Sequence, residues 1–451
     1  MTDKDLRLAD LGKYSGLTMV RQGVAMIIAF ASSILLARVL GPELKGIFGI
    51  ALLVPTTTIT LVNLGIGPSS VFHIARGVYT PSQALRQNVK LALLLGAGSI
   101  LLAALVISIG AKHLFPNIAP KVLWLSLVYI PFGLLAAFSL AVLQGKQDFQ
   151  GFNYVALGTQ LCGFLLSVIL VWLLQLGVAG AILSFSGGQL AGFIGARIAL
   201  GKPEDTRAKD NLLDYARTLL PYGLHSNVNT AADFSLRHID QFLVNLFLAP
   251  SQAGIYILAT GLAERLAIMS SSPSALMLPR ISGLADSEAV RQQLTPIVTR
   301  HVLASAAVAG VVASTLASVL IESIYGPAFA AASTVFRIML PGTILLSFTR
   351  VLASDIAGRG QPRVNAYISL LGLALTLALD SMLIPRQGIV GAAFTYSVVS
   401  AIAALLTLCY YSRHTGVPWS DVAILKRSDV ERLVRVARTQ WSKRMQHQPV
   451  E

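Results

Sequence analysis

The sequence predicts an all-α polytopic membrane protein with 12 transmembrane helices in two parallel-repeat six-helix bundles. Three observations predict it: the composition, the spacing of apolar runs, and the way lysine and arginine divide between the connections. Of 451 residues, 54% are hydrophobic and only 12% are charged, against about 25% charged in a typical soluble domain. The formal net charge is +14, yet the apolar runs leave no soluble domain on which a basic groove could form, so nucleic acid is not an expected partner.

Apolar runs near the ~20 residues that a bilayer requires fall, in the first half, at 16–37, 47–67, 89–111, 122–143, 152–173 and 178–199. The second half has them at 218–247, 252–279, 299–321, 333–353, 364–384 and 389–411. The first run follows the polar stretch MTDKDLRLADLGKYSG and lacks a small-residue cleavage site, so it is expected to stay as an anchor. Twelve spans put both termini on one side. With residues at the inner-side run ends (Lys90, Arg197 and Arg300) counted with their loops, that side holds 25 of the lysines and arginines, the opposite loops hold 5, and 5 further arginines lie within the runs. The asymmetry predicts cytoplasmic termini, and the net charge is mostly a record of topology.

Laid on itself at an offset of about 210 residues, the chain shows an internal repeat. LGPELKGIFGIA (Leu40 to Ala51) matches LAPSQAGIYILA (Leu248 to Ala259), and Phe115 with Pro131 is echoed by Tyr325 with Pro341. QGKQDFQGFNY from Gln144 is echoed by AGRGQPRVNAY from Ala357, and LGVAGAILSF (Leu176 to Phe185) by QGIVGAAFTY (Gln387 to Tyr396). An even number of spans per copy makes the repeat parallel, with its axis along the membrane normal. The expected organisation is a bundle at 1–200, a cytoplasmic linker at 201–217, a second bundle at 218–411 and a basic tail at 412–451.

In the tail, Leu425, Leu433, Val434, Ala437, Trp441 and Met445 fall at helical spacing, with Arg427, Arg435, Arg438 and Arg444 off that stripe. This describes either an amphipathic helix on anionic lipid or a solvated tail that only fixes topology. Ser184, Gly188, Gly192 and Ala196 repeat a small residue every fourth position in the sixth run, a pattern for close helix contact. Pro55, Pro131, Pro221, Pro273 and Pro341 lie within runs as candidate bends. Cys162 and Cys409 sit in apolar runs without metal-ligand or CxxC spacing, so they read as small core residues.

No HExxH, GxSxG, nucleotide-binding loop or Asp-rich cation motif appears, and no metal or cofactor is expected. The opposite-side loops are short, which argues for a transporter rather than an enzyme. What remains is charge inside the membrane, where an ionisable group costs at least ~2.5–3.5 kcal/mol. The seventh run carries His225, Asn229, Asp233, Arg237 and Asp240 on one helical face, and Arg237 is within reach of either aspartate. That face either lines a cavity or holds helices together. Glu264 and Arg265 are adjacent in the eighth run and point about 100° apart. Arg337 and Arg350 flank the tenth run, Arg337 close enough to an end to snorkel. Asp380 reads as an interfacial acid near an outer end. Arg21 stands at the cytoplasmic edge of the first run, either lining a cavity or snorkelling, and Arg38 in LARVLGP reads as a structural anchor of the outer turn.

Two parallel six-span halves, and especially SGLTMVRQGVAMIIAFASSILLARVLGPELKGIFGIALLVPTTTITLVNLGIGPSSVFHIARG (Ser15 to Gly77), resemble the oligosaccharide and polysaccharide flippases, the Wzx-like branch of the multidrug/oligosaccharidyl-lipid/polysaccharide exporter superfamily. The resemblance implies two bundles around a central cavity that opens alternately to the two sides. The substrate it implies is a lipid-linked oligosaccharide, typically on undecaprenyl diphosphate, carried outward across the bacterial inner membrane. Polysaccharide polymerase and glycosyltransferases would be its partners. In the lipid II flippase branch, arginines of the first and eighth spans hold the diphosphate; by span these are Arg21 and Arg265, with Arg237 as a third anion ligand. Asp233, Asp240 and Glu264 are then counter-charges or ion-coupling groups, and His225, Asn229, Arg337 and Arg350 are secondary candidates. The multidrug branch often uses an acid in the first or seventh span, so a cation-coupled drug exporter stays open as an alternative. So does a noncatalytic scaffold for glycosyltransferases recruited through the tail.

Overall fold

The computed structural model describes the backbone of residues 3–201, 211–283, 288–424 and 426; side chains are described over the same residues except 3–20, 225–226, 228–229, 268–283 and 288–291. The described residues form helices joined by short turns, with no strand among them. In chain order these are α1 (Asp3–Val62), α2 (Ile66–Ala75), α3 (Pro81–Leu114), α4 (Pro120–Ser126), α5 (Tyr129–Gly145), α6 (Phe149–Ser167), α7 (Gly177–Leu200) and α8 (Leu212–Phe247). They continue with α9 (Pro250–Gly283), α10 (Glu288–Tyr325), α11 (Ala331–Gly358), α12 (Pro362–Gln387), α13 (Ile389–Thr415) and α14 (Trp419–Ala423). The expected amphipathic helix of the tail, and most of the linker, fall outside the described residues.

Nine helices among the described residues are long and apolar enough to cross a membrane, where the sequence predicts twelve separate runs. The first two expected runs fall together on Arg21–Val62, 42 residues, enough for two crossings of about 20 residues each. That stretch is broken at Gly41, whose φ of 68° and ψ of 179° are not helical. The seventh run falls on α8, which carries the charged stripe, and the eighth on α9, whose side chains are described only as far as Ala267.

Local chemistry sets the helix ends. α3 opens on a capping box: Gln83 N donates to Thr80 Oγ1 at 3.2 Å and Thr80 N to Gln83 Oε1 at 3.0 Å, with Pro81 in the first turn. Asp148 caps α6 by accepting from Gly151 N at 2.8 Å. Pro131 lies near the middle of the span Pro120–Gly145, in the first turn of α5 just after the interruption that separates it from α4, as a candidate bend would. Pro55, Pro221 and Pro341 are inside helices, while Pro273 falls where only the backbone is described.

The chain divides into two compact units: one of Met1–Leu258, Leu320–Ala332 and Asp380–Ile389, the other of Ala259–Val319, Ser333–Leu379 and Val390–Glu451. The first unit takes in all of α8, the start of α9 and the ends of α10 and α12. Its interior holds fully buried Ile50, Leu134, Phe138, Val142 and Leu143. Leu101, Ile109 and Ile198 are more than 70% exposed, as suits side chains that face lipid. The small-residue stripe of α7 packs on α6. A Cβ on Gly188 would lie 2.9 Å from Thr159 O and 3.0 Å from Gly163 Cα, and Ser184 Oγ meets Ser167 Oγ at 2.8 Å. Buried Asn88 accepts from Tyr215 Oη at 2.9 Å and Ser70 Oγ at 3.2 Å, and donates to Phe138 O at 3.2 Å. Burial pushes the Tyr215 hydroxyl well above the usual tyrosine range.

In the second unit, Phe348, Leu352, Ala404 and Tyr411 form a buried cluster with Val422 of α14. The segment after α13 is therefore docked: Arg300 donates to Asp421 O and Gln292 Nε2 to Thr415 O at 3.0 Å.

Candidate functional site

The charged residues singled out in the sequence have distinct environments. Within the first unit, Arg21 is half-buried, its guanidinium carbon 5.7 Å from the centre of the Phe152 ring, within the range of a cation–π contact. Its Nε is buried and has no hydrogen-bond partner among the described residues. An arginine held against an aromatic face with an unmet donor is the arrangement expected of a group that receives an anionic oxygen.

On α8 the two aspartates diverge. Arg237 pairs with Asp233 through Nε at 3.0 Å and Nη2 at 2.9 and 3.0 Å, one turn apart on the helix and partly exposed. Aspartate four residues before arginine is also the orientation that the helix dipole favours. Asp240 is buried and accepts from Tyr256 Oη at 2.6 Å and Gln241 N at 2.7 Å. The side chains of His225 and Asn229 lie outside the described residues.

Within the second unit, Arg265 is half-buried and donates through Nη1 to Gly261 O at 2.9 Å, on its own helix. Glu264 and Arg350 are half-buried too. Arg337 is exposed, its Nε bonded to Ser314 O at 2.9 Å, which fits a surface anchor better than an anion ligand.

Asp380, expected near an outer end of its run, is fully buried in the first unit. Sequence reasoning also passed over Asp355, Arg300 and Lys45, which are all buried. Asp355 accepts from Thr295 Oγ1 and pairs with Arg359. Near the ends of runs they read as loop charges, and only the i, i+4 spacing of Asp355 and Arg359 hinted at pairing. Arg38 does anchor its turn: Nε donates to Ile324 O at 2.7 Å and Nη2 to Ser323 O, at the end of α10.

Residues 11–284 match the profile of a family described as polysaccharide biosynthesis protein. The chain belongs to the polysaccharide biosynthesis protein family. Among curated relatives, this family member is 24% identical over 401 residues to an uncharacterized membrane protein, MJ1375, of Methanocaldococcus jannaschii, covering 85% of this chain and 92% of that one. It is 24% identical over 223 residues to a protein of Haloferax volcanii described as a probable low-salt glycan biosynthesis flippase, Agl15, covering 47% of this chain and 46% of that one. Among solved structures, the lipid II flippase MurJ in an inward closed conformation superposes with a TM-score of 0.72 at 14% identity, covering 88% of this chain and 87% of that one. An inward-facing multidrug resistance transporter of the MATE family superposes at 0.64 and 15% identity, over 88% and 98% of the two chains. At such identities the likeness is one of fold, and this polysaccharide biosynthesis family member shares the fold of those two solved proteins.

Proposed function

We propose that this chain is a flippase that moves an oligosaccharide linked to undecaprenyl diphosphate from the cytoplasmic to the periplasmic face of a bacterial inner membrane by alternating access. The reading places twelve crossings in two six-helix bundles, 1–200 and 218–411, with the linker, the tail and both termini cytoplasmic. Arg21, Arg237 and Arg265 bind the diphosphate through charge-assisted, bidentate hydrogen bonds. Asp233, Asp240 and Glu264 balance that charge or couple its release to an ion. Family membership supports the substrate class. The observation that carries the site is Arg21, a half-buried cation stacked on Phe152 whose Nε is unmet among the described residues.

The test is surface glycan in a flippase-null strain carrying each variant at wild-type abundance. Arg21→Ala and Arg265→Ala are each expected to lower export at least about tenfold, the scale of one lost hydrogen bond to a charged group. Arg21→Lys is expected to recover only part of it, since lysine lacks the planar fork. Full export by both alanine variants would remove the arginines from the site. Drug sensitivity with glycan intact would point to a multidrug exporter instead.

A further inference from the structure

The two matching turns of the internal repeat touch each other. Aligned by their leading leucines, Leu40 and Leu248, they place Pro42 on Pro250 and Gly46 on Gly254. In the structure, a Cβ on Gly46 would lie 1.9 Å from Pro250 O and 2.8 Å from Gly254 N. A Cβ on Gly254 would lie 1.9 Å from Pro42 O and 2.9 Å from Gly46 N. Exchanging the copies therefore reproduces the contact, the signature of a local two-fold axis passing between the glycines. All four residues lie in the first unit. A carbonyl oxygen of each turn occupies the place where the other turn's side chain would be, so no residue larger than glycine fits at either position while the turns are closed.

The groups that hold these turns differ from the groups that join them. Arg38 bonds the carbonyls of Ser323 and Ile324. Lys45 is buried, donates to Ser33 O at 3.2 Å, and stands 5.5 Å from the Tyr325 and Phe329 ring centres. The first turn is thus pinned by charge to residues 323–329, whereas the crossing with the second turn is backbone laid on backbone. Parting the two turns therefore also releases Arg38 and Lys45 from residues 323–329, while the glycine crossing itself closes again without any rotamer search.

We propose that the Gly46–Gly254 crossing is a separable outer gate contact, and that glycine at both positions sets the balance between its closed and open states. The direction assigned to it rests on the flippase reading and its topology; the geometry does not.

The test uses the full-length chain in membranes, with Cys162→Ser and Cys409→Ser, and a single reporter, Ala253→Cys. Ala253 is fully buried beside the crossing. Labelling by a membrane-impermeant maleimide added from outside is expected to be slow but measurable. Gly46→Ala and Gly254→Ala should each raise the rate at least about tenfold and by similar factors, because the clash is reciprocal. Gly49→Ala, which would meet only the flexible end of Ile257, should leave it unchanged. If both alanine variants lower the melting temperature while labelling stays at the parent rate, the crossing is a static packing joint and the proposal fails. It fails equally if both variants behave as the parent. Should neither variant accumulate, the parent decides: an Ala253→Cys reporter that never labels, while Leu44→Cys at an exposed position does, rules out a gate. Opening detected in a chain that exports no glycan would refute the flippase reading and leave the gate standing.

Discussion

At the scale of single residues, what distinguishes the intramembrane charges is whether their partners are local. Asp233 and Arg237 satisfy each other one turn apart, and an exposed i, i+4 pair of this kind contributes only about 0.3–0.5 kcal/mol in water. It costs little to open when a diphosphate competes for the guanidinium. Asp240 is different, because its buried carboxylate depends on Tyr256 from the next helix. Tyr256→Phe removes that donor and is expected to cost about 1.5–3 kcal/mol, read as a lower melting temperature of the detergent-purified protein. An unchanged melting temperature would mean that water or another donor replaces the hydroxyl. The sequence placed both aspartates on one face but could not tell them apart, since the phenol that separates them is sixteen residues away on another helix.

At the scale of elements, close helix contacts were legible wherever their cause is repetition of small residues. The Ser184–Ala196 stripe meets α6 as the spacing implies, and Gly188 lies against backbone there. Gly188→Val should therefore cost about 1–3 kcal/mol through forced overpacking. Gly158→Val, on α6 with open space around its Cβ position, should meet no overpacking and should gain about 0.3 kcal/mol in helix propensity. Equal melting temperatures for the two variants would contradict the packing described. Less legible was the docking of α14. Nothing in Trp419 to Ala423 marks it as a bound segment, because the pocket for Val422 is built from Phe348 and Leu352 of α11 together with Ala404 and Tyr411 of α13.

At the scale of the whole molecule, the repeat and the distribution of basic residues govern topology. With the native cysteines replaced, a cysteine at exposed Lys112 should react with impermeant maleimide in intact cells, and one at exposed Lys146 only after permeabilisation. The opposite pattern would invert the assigned orientation and with it the direction of transport. α1 reads as two runs by composition, and its backbone leaves the helical conformation between them, at Gly41. α8 loses apolarity to the charged residues on which the proposed site depends.

The sequence by itself determined the class of molecule: a helical membrane protein of the flippase-like type, with an internal repeat and a set of intramembrane charges. Those features follow from composition, period and sign of charge, which a chain carries at any conformation. Only the tertiary structure decided which charges are satisfied at home, which are buried by neighbours, as Asp380 and Asp355 are, and why the repeat keeps glycine at 46 and 254. Burial and close approach are properties of pairs of residues far apart in the chain, and no local pattern encodes the distance between them.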